Sequence, residues 1–327
     1  MKKVAAVILV GVLALGGFYA VPAETGKSAS QHSTKAAGLD ATVKDFKELK
    51  TALEEDNNVT NIFLAQDISL DSGIKINPKK QSVVINGQGN KLTEKSRGVH
   101  GTIYVDTNNA VKEVSLKNIN IVGKNFYGPV NVDDHVKGVT LNYENVNYEG
   151  PQLVHNVHGF ANFSGVSKVK IAEVLPDTDR AQEFVEGLGV QIGGKLDVEH
   201  KGTVDSTFWF GLGNDSTPYL KIKDNADVSF DVAYDTLFYV DNSVARPLDI
   251  TVGEKAKLKV NTTRELFRLG HAGSFELLPN STTNIARTTA KNSNPTLKIR
   301  GVVHPSSGAV FNINHAPETK ADMISGI

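Results

Sequence analysis

Cysteine is absent from this sequence, which removes disulfides, thiolate metal sites and cysteine nucleophiles in one step. A surplus of base is missing too. Lys and Arg number 35 against 36 Asp and Glu, for a net charge of -1, so the patch that nucleic acids or anionic membranes require has no compositional support. No Gly-rich phosphate loop occurs, because Gly187-Leu188-Gly189 lacks a following helix and a Lys-Ser/Thr pair. What remains is 40% hydrophobic and 22% charged over 327 residues, enough to bury a large core and long enough for two domains.

Location is written at the start. Lys2 and Lys3 precede an apolar run from Val4 to Val21, and Val21-Pro22-Ala23 supplies the small residues of a cleavage site after Ala23. Residues 1–23 therefore read as a secretory signal peptide, and no stable membrane insertion is expected once it is removed. Residues 24–40 are rich in Ser, Thr, Lys, Ala and Gly without apolar periodicity and read as a flexible leader. The expected location is secreted or extracellular, with which the absence of cysteine is compatible.

One helix is expected near residues 42–56, with Thr42 as N-cap and Val43, Phe46, Leu49 and Leu53 on one face. Asp179 to Glu186 could add a helical turn or two. All else is short β segments punctuated by Gly, Asn and Asp. Val190, Leu220, Ile250 and Phe275 recur at steps of 30, 30 and 25, and each of Ile222, Val252 and Leu277 is followed eight residues later by Phe230, Val260 and Ile285. Thr207 to Phe210, Thr236 to Tyr239 and Glu265 to Arg268 form a third series, 29 residues apart. Val114-Ser115-Leu116 and Val139-Thr140-Leu141 stand 25 apart in the first half.

Three strands per unit of 25 to 30 residues is the arithmetic of a right-handed, single-stranded parallel β-helix, here spanning 41–327 with the helix as its N-terminal cap. A β-sandwich array would need hairpin turns and longer repeats. In the helix, Trp209, Phe238, Phe267 and Phe311 are expected to form one inward aromatic column, with a carbohydrate-stacking platform as the other reading. Asn86, Asn118, Asn145 and Asn225 fall at coil turns, where Asn suits tight turns and side-chain ladders.

The run from Val43 to Leu70, the Ile85 to Gly89 segment INGQG, VSLKNINIVG from Val114, and the Pro151 to Asn156 segment PQLVHN resemble the pectate lyase-like adhesive domain of Gram-positive surface proteins. That resemblance spans roughly residues 40 to 315. It implies a β-helical surface module acting in adhesion, with surface glycans or host and matrix proteins as partners and no catalytic residues or cofactor to carry over.

Related folds cleave polysaccharides, holding Ca²⁺ with clustered Asp and Glu and abstracting a proton with a cationic base. If this chain is a lyase or hydrolase of acidic polysaccharide, the candidates are Asp133, Asp134, His135 and Lys137, with Ca²⁺ as the cofactor. Adjacent strand residues point to opposite faces, so Asp133 and Asp134 can serve one substrate only from a turn. His271 and Arg246 echo other polysaccharide-cleaving motifs without their partners, and His155 with His158 has metal-pair spacing only if helical. With seven Arg in all and no convergent motif, a non-catalytic binding module is the leading expectation, followed by the enzyme and by a structural spacer.

Overall fold

The computed structural model describes residues 38–326 apart from 56–57, 203–205, 212–216, 241–246, 269–271, 290–293 and 316–322. The segments expected to be a signal peptide and, almost entirely, a flexible leader thus lie outside the described residues, as do Arg246 and His271. Among those described, no helix is long and apolar enough to cross a membrane.

Every named strand pairs in parallel with its equivalent one coil away, and the chain winds into the expected β-solenoid. Three walls result. The first holds Val59–Leu64, Ser82–Asn86 and, further along, Tyr219–Ile222, Leu248–Val252 and Gly273–Leu277. The second holds Lys91–Glu94, Val166–Ile171, Lys195–His200, Asp227–Val232, Lys257–Thr262 and Thr282–Arg287. The third is made of short strands, among them Ile103–Val105, Val130–Val132, Phe208–Phe210 and Phe238–Val240.

Inward side chains repeat at period two, so like residues stack along the axis. Val190, Leu220, Ile250 and Phe275 are register partners in sequence, and so are Phe230, Val260 and Ile285. In the first half the register differs from expectation: Val114 pairs with Leu141 and Leu116 with Tyr143, a step of 27 in place of 25. A slip of two keeps each side chain on its own face, so the inward set survives it.

The third series corrects the aromatic column. Phe208, not Trp209, pairs with Phe238, and Phe238 bridges Phe267. The inward stack is Phe208, Phe238 and Phe267, with ring centroids 5.5 and 5.1 Å apart. Trp209 and Tyr239 are partners on the outer face. Phe311 belongs to the second wall, paired with Thr283, and packs on Phe275.

The cap also departs in detail. Leu39–Val43 is a strand pairing with Val59–Leu64, so Thr42 is no N-cap and residues 39–40, expected in the leader, belong to the sheet. Asp45 takes that role, its carboxylate accepting from the Glu48 amide, and the helix runs Phe46–Glu54 with Leu49, Ala52 and Leu53 buried on the first coil. Residues 179–186 form no helix; Ala181 and Phe184 are buried and the strand Val185–Ile192 follows. At the corner between first and second walls Asn118 and Asn145 adopt φ of 47° and 55°, and Asn145 Nδ2 donates to Asn118 Oδ1 at 2.9 Å. Asn225 adopts φ of 60°, while Asn86 joins through its side chain, accepting from the Gln88 amide.

Candidate functional site

A third-wall strand of three residues turns its first and last side chains inward and its middle one outward, because the pleat alternates. The register therefore builds one outward column in which Tyr104, Asn131, His155, Glu186, Trp209 and Tyr239 follow coil by coil. Arg268, just after Phe267, extends it: its guanidinium carbon sits 5.0 Å from the Tyr239 ring centroid.

The column has two halves of different chemistry. In one, Trp209 and Tyr239 stack with centroids 5.9 Å apart and planes 25° from parallel, and Arg268 covers the far side of Tyr239. Gly211 is required beside them, since a Cβ there would lie 1.8 Å from the indole. The other half is polar. His155, only 6% exposed, has Tyr127 edge-on at 5.2 Å, and its Nε2 lies 3.4 Å from Glu186 Oε2 and 3.8 Å from Asp134 Oδ1. Gln152 Nε2 donates to the same Glu186 oxygen at 3.2 Å. Asn131 Oδ1, Gln152 Oε1 and His155 Nδ1 are buried without a hydrogen-bond partner.

The four candidates Asp133, Asp134, His135 and Lys137 lie in the turn after Val130–Val132, next to this half of the column. They do not converge. Asp133 Oδ1 accepts from the His135 amide at 2.9 Å and sits 2.9 Å from His135 Nδ1, so its carboxylate is spent on the turn. His135 and Lys137 are exposed, and only Asp134 reaches the column. His158 stands at the corner beyond Asn156, where its carbonyl accepts from the Gly138 amide, and does not share the His155 face. Among the described residues no group of three or more His, Asp or Glu is placed to hold a metal ion.

A shallow groove of about 930 Å³ lies on the second wall, lined by Asn147, Lys168, Lys170, Asp197, Glu199 and Asp231 among others. Most of its charge is already cross-paired: Lys170 with Glu149, Lys195 with Asp197, Lys201 with Glu199. The third-wall column combines aromatic rings, opposite charges and unmatched acceptors, which the groove does not.

Tyr239, Glu186 and Asn131 carry no site signal in the sequence, whereas Trp209 belongs there to the aromatic column whose other reading is a carbohydrate-stacking platform. Residues 40–155 match the family described as "Putative pectate lyase-like adhesive domain". That match ends within the third wall at His155. Two solved chains share the fold. "L. reuteri 53608 SRRP" superposes with a TM-score of 0.59 at 18% identity, covering 84% of this chain and 97% of that one. "L. reuters 100-23 SRRP" superposes with a TM-score of 0.62 at 16% identity, covering 89% and 99%. Comparison with curated proteins gives no match.

Proposed function

We propose that this chain is an exported, adhesin-like module of a Gram-positive cell surface that binds glycans along the outward column of the third wall and does no chemistry on them. The observation that carries the reading is the Trp209–Tyr239–Arg268 stack, set in one outward column with the polar side chains Asn131, His155 and Glu186. Sugars offer apolar C–H faces and many hydroxyl donors, and such a column meets both. The adhesive-domain match over residues 40–155 supports the same direction. Function belongs to a site and not to a scaffold, so the polysaccharide-cleaving relatives of the fold add nothing without convergent catalytic groups.

A glycan array and a cell-binding assay with the secreted chain test this. The wild type gives signal, and a Trp209→Ala, Tyr239→Ala double variant with an unchanged melting curve loses at least tenfold. Polygalacturonate with Ca²⁺ gives no unsaturated product. Turnover abolished by Asp134→Asn makes the protein an enzyme and overturns the proposal. Binding to host or matrix proteins alone replaces the glycan, and silence in every assay leaves a spacer.

A further inference from the structure

Five register-paired residues line the second-wall groove in single file: Asn120, Asn147, Lys168, Asp197 and Ser229. Each belongs to the next coil, so a polar group recurs about every 4.8 Å along the solenoid axis. The first two form an amide ladder. Asn120 Nδ2 donates to the Gly89 carbonyl at 2.7 Å and Asn147 Nδ2 to Asn120 Oδ1 at 2.9 Å, so each nitrogen keeps a second hydrogen. A parallel file of Glu149, Lys170, Glu199 and Asp231 runs beside it. Val166, 58% exposed, gives the same groove an apolar patch.

Charge decides what such a groove takes. Its lining carries four carboxylates against two lysines, which opposes a polyanion. Three of those carboxylates, Glu149, Asp197 and Glu199, already lie beside Lys170, Lys195 and Lys201, so a polycation finds them occupied. Lys168 and Asp231 remain, without an ion pair among the described residues, as one donor and one acceptor. Hydroxyls both donate and accept and carry no charge, which suits this mixture. The spacing selects an extended polymer: a β-linked glycan advances by close to one coil per sugar, whereas a peptide strand advances about 3.3 Å per residue and falls out of step. Going beyond the third-wall reading, and on different residues, we propose that the second-wall groove binds a neutral, linear polysaccharide laid parallel to the solenoid axis, one sugar per coil. Its hydroxyls meet the Asn120 and Asn147 amides, Lys168 and Ser229, and its C–H faces meet Val166.

The test is titration of the secreted chain with neutral β-1,4-linked oligomers of glucose, mannose and N-acetylglucosamine of increasing length, beside polygalacturonate and polylysine. We expect a neutral series to bind with affinity that rises with each added sugar up to about five, one for each rung of the file, and then levels off. Added salt leaves it unchanged. A chain carrying both Asn147→Ala and Val166→Arg loses at least tenfold; both side chains are exposed, and melting curves confirm the fold. The Trp209→Ala, Tyr239→Ala variant separates the two surfaces. Oligomer binding that persists in it belongs to the groove. Binding that it abolishes, and that the groove variant keeps, lies on the third wall alone; the groove proposal then falls while the third-wall reading stands. Affinity independent of length, no binding of any neutral series, or tighter and salt-sensitive binding of polygalacturonate or polylysine that the groove variant abolishes overturns the proposal as well.

Discussion

Glu94 and Asn125 are joined by two hydrogen bonds to one oxygen: the Asn125 amide and its side-chain Nδ2 donate to Glu94 Oε2 at 3.3 and 3.1 Å. The Lys124 amide donates there as well, and these donors favour the carboxylate. Burial outweighs them and pushes the carboxyl up to about 8. The native state therefore keeps a proton that the unfolded chain releases above its ordinary value of 4.5, so this group's stabilisation is full in acid and is lost as pH rises toward 8. We expect Glu94→Gln to melt higher than wild type above pH 8 and the gap to close toward pH 5, read from thermal melts across that range. A gap independent of pH refutes the assignment.

His200 works in the opposite direction. Its imidazole is buried, with Nδ1 2.8 Å from Thr207 Oγ1, and burial lowers it to about 4 against the favourable Gln182 backbone contact. Below the ordinary value of 6.5 the unfolded chain takes up a proton that the native state refuses, so stability falls from there toward pH 4. His200→Gln should flatten that acid limb relative to wild type while lowering the neutral melting temperature through lost packing. Denaturant midpoints at pH 4.5 and 7 measure both.

Phe238 is held between Phe208 and Phe267 in the inward stack and is 2% exposed. Phe238→Asp places a charge where no partner exists, at a cost of several kcal/mol, and should abolish the cooperative transition. Phe238→Leu keeps an apolar group and should cost about 1–2 kcal/mol, visible as a lower midpoint with the same denaturant slope. A soluble, cooperatively folding Asp variant would mean that the column faces outward.

Export is part of the proposed function and rests on Lys2, Lys3 and Val21-Pro22-Ala23. Mass spectrometry of material recovered from the medium should find Glu24 as the first residue. Recovery with Met1 intact would show that the apolar run is retained.

The inward columns were legible because bulky side chains repeat at nearly constant spacing, as Val190, Leu220 and Ile250 do. The outward column was not, and the reason is local. Phe208, Trp209 and Phe210 are all aromatic, so either pleat parity looks equally apolar and the pattern cannot choose between them; a slip of one residue then turns Trp209 inward on paper. At the N-terminus Thr42 and Asp45 are both good caps, and the pairing of Leu39–Val43 with Val59–Leu64 selects Asp45. The polar half of the column at His155 draws on Asn131, Glu186 and two flanking turns, each from a different coil or corner. No linear motif encodes such a set; only the register does.

Because every wall pairs coil to coil, the backbone hydrogen bonds run along the solenoid axis, and each coil is bonded only to its neighbours. A pull along that axis loads these bonds in series. Rupture then proceeds one coil after another, and a coil whose equivalent residues Glu113 and Thr140 are 27 apart releases roughly 90 Å of extended chain as it opens. A tether of this construction lengthens stepwise under flow, dissipating work at each step while the remaining coils keep their shape.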